Sequence, residues 1–291
     1  MLPWVRARQC LFMLKNILVC LEGSSSSEAA TRVSIELARS FEATLAGLAI
    51  IDEPDIRAGT VTGIGGASYK HERDEVLLAD AHKKADDWVA LFERRCREAD
   101  VSARGLEVVG RPADSILAHM SVQDLTVMGK DANFRFETES NDVRTRDAIL
   151  HRASRPVLLV PEETPSKLGT TVLVAYDGSG AARRALESFA ASGLALAREV
   201  HVATVDDNGT AAREMADRAV AMLLASGIVA RPHNIVSVLS NVEALYEAAH
   251  KLDAGLMVMG AFAHSRITNL FRASVTRGLV ERSAIPLYLQ H

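Results

Sequence analysis

The chain has 291 residues, 48% of them apolar and 24% charged, with a formal net charge of −4. That length leaves room for two domains of ordinary size, and the composition is that of a chain that buries full cores rather than one that stays disordered. The negative balance, with no long basic face, argues against a protein that holds nucleic acid by neutralising many phosphates.

Residues 1–12, MLPWVRARQCLF, lack the long apolar run and small-residue cleavage site of a signal peptide. Met13 opens MLKNILVCLEG, itself a sensible start, so the first twelve residues read as a tail. Lys15 to Leu21 is the first expected strand, ending at Glu22-Gly23, and Ser24 to Ser27 then contain a plausible N-cap for an amphipathic helix. Thr44 to Ile51 is a second strand, stopped at Asp52-Glu53-Pro54. The segment with Gly59, Gly63, Gly65 and Gly66 is not followed by the Lys-Ser/Thr of a P-loop and reads as a flexible surface loop, leading into a long charged helix from Lys70 to Ala99. Ser102 to Val109 is a third strand, followed by a helix holding Ile116, Leu117 and Met120. Leu125 to Met128 is a fourth, stopped by Gly129. Arg144 to Ala153 reads as helix and Pro156 to Val160 as a last strand. Strands alternating with helices predict an α/β fold with a parallel sheet and helices on both faces.

The second half repeats the first. ILVCLEGSSSS at Ile17 is matched by VLVAYDGSGAA at Val172, LTVMGK at Leu125 by LMVMGA at Leu256, and SRPVLLV at Ser154 by SAIPLYL at Ser283. The spacing between matched positions falls from 155 residues (Leu18 to Leu173) to 131 (Val127 to Val258), so the second copy is shorter by 24, mostly where the first has its glycine-rich loop and long helix. Pro161 to Gly169, PEETPSKLG, is the linker. The expected domains are residues 13–162 and 168–291.

Three cysteines without metal-type spacing read as reduced thiols in a cytoplasmic protein, with Cys20 a small core residue. No apolar segment approaches the roughly 18 to 20 residues of a membrane span. No second histidine or carboxylate stands at ligand spacing from His264, which reads as a loop hydrogen-bonding residue, so no metal site is expected.

The stretch Leu256 to Thr276, LMVMGAFAHSRITNLFRASVT, joins a buried-strand run ending at Gly260 to small and hydroxylated residues at Ala273, Ser274 and Thr276. Ala273-Ser274 is expected to start a helix whose free N–H groups face an anion. Together with Asp177-Gly178-Ser179 after the first strand and the closing IPLYL run, it resembles the universal stress protein family, here as two tandem domains from Lys15 to the C-terminus. The resemblance implies, per domain, a doubly wound five-stranded parallel sheet of order 3-2-1-4-5. It also implies that the last strands pair the halves about a pseudo-twofold as an intramolecular pseudo-dimer, with further homodimerisation left open.

The family's nucleotide loop reads Gly, two residues, Gly, nine residues, then Gly-Ser or Gly-Thr. Here its positions hold Gly260, Ala263 and Ala273-Ser274, so two of three glycines are alanine, which strains a positive φ or brings a methyl toward the phosphate. Arg266 and Arg272 can still supply charge. The resemblance implies an adenine nucleotide, ATP with or without Mg2+, held by Tyr176, Asp177, Gly178, Ser179, Thr204, Val205, Gly260, Ala263, His264, Ser265, Arg266, Ala273, Ser274, Val275 and Thr276, with the segment His201 to Val205 completing the pocket and its backbone meeting the adenine. Asp177 also has a plain reading as the turn residue capping the next helix. In the first half Glu22 replaces the aspartate, and Lys130 to Asp147, KDANFRFETESNDVRTRD, has neither glycine nor a Gly-Ser pair. No triphosphate is expected there, with Phe134 and Phe136 packing the loop shut.

Three functions follow: a cytoplasmic stress-response protein that binds ATP in its second domain and signals through an unidentified protein partner; a non-nucleotide scaffold or small-molecule binder with both pockets decayed; and slow ATP hydrolysis with Asp177 on the metal. Nucleic acid and membrane are not expected partners.

Overall fold

The computed structural model describes residues 13–58, 66–134, 144–236, 240–261 and 269–291. The first half supplies β1 (Asn16–Leu21), α1 (Ser25–Phe41), β2 (Thr44–Ile51), α2 (Glu53–Arg57), α3 (Gly66–Glu98), β3 (Ala103–Val109), α4 (Pro112–Met120), β4 (Leu125–Gly129), α5 (Arg144–Arg152) and β5 (Val157–Val160). The second supplies β6 (Thr171–Ala175), α6 (Gly180–Ser192), β7 (Glu199–Val205), α7 (Gly209–Ala225), β8 (Ala230–Ile235), α8 (Asn241–Lys251), β9 (Leu256–Gly260), α9 (Asn269–Arg282) and β10 (Leu287–Gln290). All ten strands form one sheet in the order β3-β2-β1-β4-β5-β10-β9-β6-β7-β8. Each half therefore has the expected 3-2-1-4-5 arrangement, the second running outward in the opposite sense.

The strand runs are apolar on both faces because helices cover both. One core contains Val19, Leu158, Val174, Phe189 and Tyr288, and the core on the other face contains Leu18, Leu159, Met257, Leu287 and Leu289, so both halves contribute to each. The N-cap expected within Ser24–Ser27 is Ser24, whose side chain accepts from the Ser27 N–H. The short α2 was not anticipated. Its start signals are nonetheless visible, since Asp52 accepts from the Asp55 N–H and Pro54 sits in the first turn. The long helix begins at Gly66 rather than Lys70, and Gly59 to Gly65 lie outside the described residues. Its 33 residues make it about 50 Å long.

All pairings are parallel except the central one, where β5 and β10 run antiparallel with Leu159 opposite Leu287, Leu158 opposite Tyr288 and Val157 opposite Leu289. Tyr288 is fully buried, its ring edge-on to Phe189 of α6 at 6.2 Å between centroids, and its hydroxyl hydrogen-bonds Ser188. Lys130, just past β4, crosses between halves and donates to the carbonyls of Glu281 and Ser283 at the end of α9.

Gly129 and Gly260 end the equivalent strands β4 and β9 for one reason. A Cβ on Gly260 would stand 2.4 Å from the Ala182 nitrogen, and one on Gly129 would stand 2.8 Å from the Ser27 nitrogen. The strand end thus lies directly on the first turn of its own half's leading helix, α6 for Gly260 and α1 for Gly129.

Two outcomes test these contacts. Tyr288→Ala should cost about 3–5 kcal/mol in urea unfolding of the intact chain, and Tyr288→Phe about 1 kcal/mol. Gly260→Ala should cost about 1–3 kcal/mol by overpacking; an unchanged midpoint would mean that β9 can withdraw from α6.

Candidate functional site

A cavity of about 230 Å3 opens at the carboxyl ends of β6, β7 and β9. It lies where strand order reverses, between β6 and β9, the place at which open α/β sheets bind ligands. Ala175, Ala203, Val205 and Met259 form its floor, Leu245 and Asn241 of α8 and Met215 of α7 its sides, and Tyr176, Asp177, Ser179, Ala182, Asp206, Gly260, Val275 and Thr276 complete the lining.

The floor is open because its central cross-strand pair, Ala175 with Ala203, carries only methyl groups. The rim is polar. Asp177 is exposed and its Oδ1 accepts from the Ser179 N–H at 2.9 Å. Gly178 between them has φ +73, a conformation that L side chains rarely adopt. Ser179, not Asp177, is the N-cap of α6, accepting from the Ala182 N–H at 3.1 Å. The N–H groups of Gly180 and Ala181 fall in the first turn, where an α-helix has no internal acceptor for them. Asp206 follows β7 and accepts from the Asn208 N–H at 2.8 Å. The chemistry on offer is an apolar slot for a planar ring, carboxylates and an amide that can engage hydroxyl or amino groups, and a helix N-terminus that favours an anion.

Of the residues expected from sequence, Tyr176, Asp177, Ser179, Val205, Gly260, Val275 and Thr276 meet at this cavity. Gly178 shapes the turn without lining it. Thr204 is fully buried and absent from the lining; strand alternation sends its side chain to the face opposite Ala203 and Val205. The helix expected to start at Ala273-Ser274 begins instead at Asn269, so its unbonded N–H groups belong to residues 269–272, and Ala273 and Ser274 lie inside it. Ala263, His264, Ser265 and Arg266 lie outside the described residues. Sequence reasoning missed Ala175, Ala182, Asp206, Met215, Asn241, Leu245 and Met259, and it included Ala203 only as part of the segment His201 to Val205. Parity along β7 could have singled out Ala203 with Val205, and Asp206 is simply the residue after the strand.

The equivalent place in the first half is filled by its own side chains. Cys20 with Leu48 replaces Ala175 with Ala203, and Ile50 replaces Val205. Glu22, in the place of Asp177, turns inward: its carboxylate accepts from the Ser24 hydroxyl and from the backbone N–H groups of Asn133 and Ser24. Burial pushes its pKa up, those hydrogen bonds pull it down, and nearby Asp131 adds to the rise. Phe134 is buried, as expected for a loop packed shut, and Phe136 lies outside the described residues. Arg146, also buried, donates to the Lys130 carbonyl at 2.9 Å.

Among the described residues no three His, Cys, Asp or Glu side chains converge as a metal site, and no helix is long and apolar enough to cross a membrane.

The sequence profile of the Universal stress protein family matches residues 13–161 and again 170–290. A universal stress protein of Synechocystis is 23% identical over 94% of this chain and 99% of its own length. The crystal structure of a universal stress protein from Archaeoglobus fulgidus superposes with a TM-score of 0.69 at 18% identity, covering 94% of this chain and 97% of that one. A functionally unknown protein from Pseudomonas aeruginosa superposes with a TM-score of 0.53 at 14% identity, covering 98% and 94%. With the repeated sheet, its reversed second copy and a family match over both halves, the chain belongs to the universal stress protein family.

Proposed function

We propose that this is a cytoplasmic stress-response protein that binds ATP or a related adenine nucleotide in its second domain, residues 168–291, and acts as a regulatory binding module. The observation that carries the reading is the contrast between the two floors: Ala175 with Ala203 leaves a cavity where Cys20 with Leu48 fills the corresponding space. The residues present suit such a ligand. The apolar floor and Met215 take the base, Asp177, Asp206 and Asn241 face its sugar and ring edges, and the amino end of α6 takes phosphate. Asp177 is the side chain placed to meet a nucleotide-bound Mg2+. Among the described residues the cavity lining contains no histidine, cysteine or lysine to activate a nucleophile, which favours holding the ligand over consuming it. The first domain, residues 13–162, would serve as a structural partner, the carboxylate of its Glu22 held by the chain's own donors.

Equilibrium dialysis with labelled ATP and Mg2+ tests the reading. Uptake is expected, with no phosphate released over hours. Asp177→Ala and Ser274→Glu should each weaken binding about tenfold, roughly one lost polar contact or one added repulsion. Ala203→Leu, which copies the first half's residue into the floor, should abolish uptake while the protein still unfolds cooperatively. Glu22→Ala should leave affinity unchanged. No uptake at millimolar ligand would overturn the proposal in favour of a non-nucleotide scaffold, and phosphate release would make the protein a slow hydrolase.

A further inference from the structure

Two histidines sit beneath the cavity floor, on the same face of the sheet. His201 precedes Ala203 by two residues on β7, and His233 on β8 is the register partner of Ala203. His201 is buried, and its Nδ1 lies 2.6 Å from His233 Nε2, with ring centroids 4.8 Å apart. On its other side His201 Nε2 is 3.3 Å from Glu199 Oε1, the oxygen that Arg231 Nη1 approaches at 2.7 Å. An ionised carboxylate only accepts, so Glu199 fixes the His201 proton on Nε2. His201 Nδ1 is then the acceptor for the His233 Nε2–H, and the basic lone pair left to the pair is that of His233 Nδ1.

We infer that the His201–His233 hydrogen bond is an acid-sensitive latch that ties the edge strand β8 to the cavity floor, keeping its hold through one protonation and opening at the second. The first proton adds to His233 Nδ1 and leaves the bond intact. The second finds only His201 Nδ1, the acceptor within the bond, and adding it there sets two N–H groups against each other, so the rings must part.

Burial holds the His233 pKa below the ordinary histidine value, His201 and Arg231 add to the effect, and Glu199 opposes it. α8, packed over this face, carries Glu243, Tyr246, Glu247, His250 and Lys251, the last paired with Glu247 at 3.7 Å, while β6 alongside carries no ionisable group. α7 covers the opposite face, with Arg213, Glu214, Asp217 and Arg218. A histidine whose folded pKa is depressed binds fewer protons folded than unfolded. The pair's contribution to stability is therefore complete above about pH 6.5 and declines as pH falls below it, the bond itself parting only at the second proton. β8 has no strand beyond it, so β7 and α7 hold it once the rings separate. A metal bridge does not suit the pair: bonds of about 2.0–2.1 Å to one tetrahedral ion would hold the nitrogens about 3.3 Å apart.

Imidazole and methyl NMR titrations of the full chain and of His233→Gln decide the matter. In the unsubstituted protein the pair should titrate in two coupled steps where the variant shows one, and Val205 and Leu245 methyl signals should move with the lower of the two. Identical, independent titrations in both proteins, or floor methyls that ignore the lower step, would overturn the latch. His233 is partly exposed, and the parallel variant His201→Gln gives the same comparison should His233→Gln fold poorly. Resting on the nucleotide reading, ATP affinity should fall about tenfold between about pH 7.5 and 5 in the unsubstituted protein and about threefold in His233→Gln. Equal falls would sever the latch from the cavity. If ATP fails to bind at all, the nucleotide reading falls while the imidazole titration still decides the latch.

Discussion

Each half-sheet ends in a four-residue apolar strand, VLLV or LYLQ, and the antiparallel pairing of β5 with β10 closes both of those edges at once. An open edge of buried backbone would leave donors and acceptors without partners and invite pairing with other chains. The linker delivers the other half to this edge at high effective concentration. Both cores run through this seam, so each half is stabilised by the presence of the other rather than by the state of its own pocket.

That arrangement lets the pockets diverge. In the first half Glu22 turns back on its own chain, its carboxylate held by the Ser24 hydroxyl and by the backbone N–H groups of Asn133 and Ser24. Buried donors need acceptors, and Glu22 supplies one within the chain. The second half has an exposed aspartate at that position and a floor of alanines, leaving its donors and its apolar surface for something that arrives from solution. The asymmetry costs little in stability, because Cys20 with Leu48 and Ala175 with Ala203 are both pairs that a parallel sheet accommodates.

Much of the fold was legible because buried parallel strands announce themselves as short apolar runs stopped by glycine, and because the chain states each run twice. The strand order came from family resemblance rather than from periodicity. The site was less legible, for reasons of geometry. Ala203 is an unremarkable small residue until strand register places it beside Ala175. The side chains of Thr204 and Val205 face opposite sides of one strand, so only the backbone of Thr204 is on offer to the cavity side. Ala273-Ser274 looked like a helix start because hydroxylated residues commonly cap helices, but NLFR before it is already helical.

Comparing the halves also decides what a residue's presence means. Gly260 resembles a phosphate-loop glycine, yet Gly129 occupies the same place in the half that fills its own anion seat, and both are explained by strand ends pressed onto a helix's first turn. Gly23 and Gly178 likewise share a positive φ at the strand-to-helix turn. Features common to both copies therefore report what the fold requires, and only the differences bear on ligand choice: Asp177 against Glu22, Ala203 against Leu48, Val205 against Ile50. By that criterion the glycine that first suggests a nucleotide is weak evidence for one. Ala203 is the stronger sign, because the first half carries Leu48 at the same place.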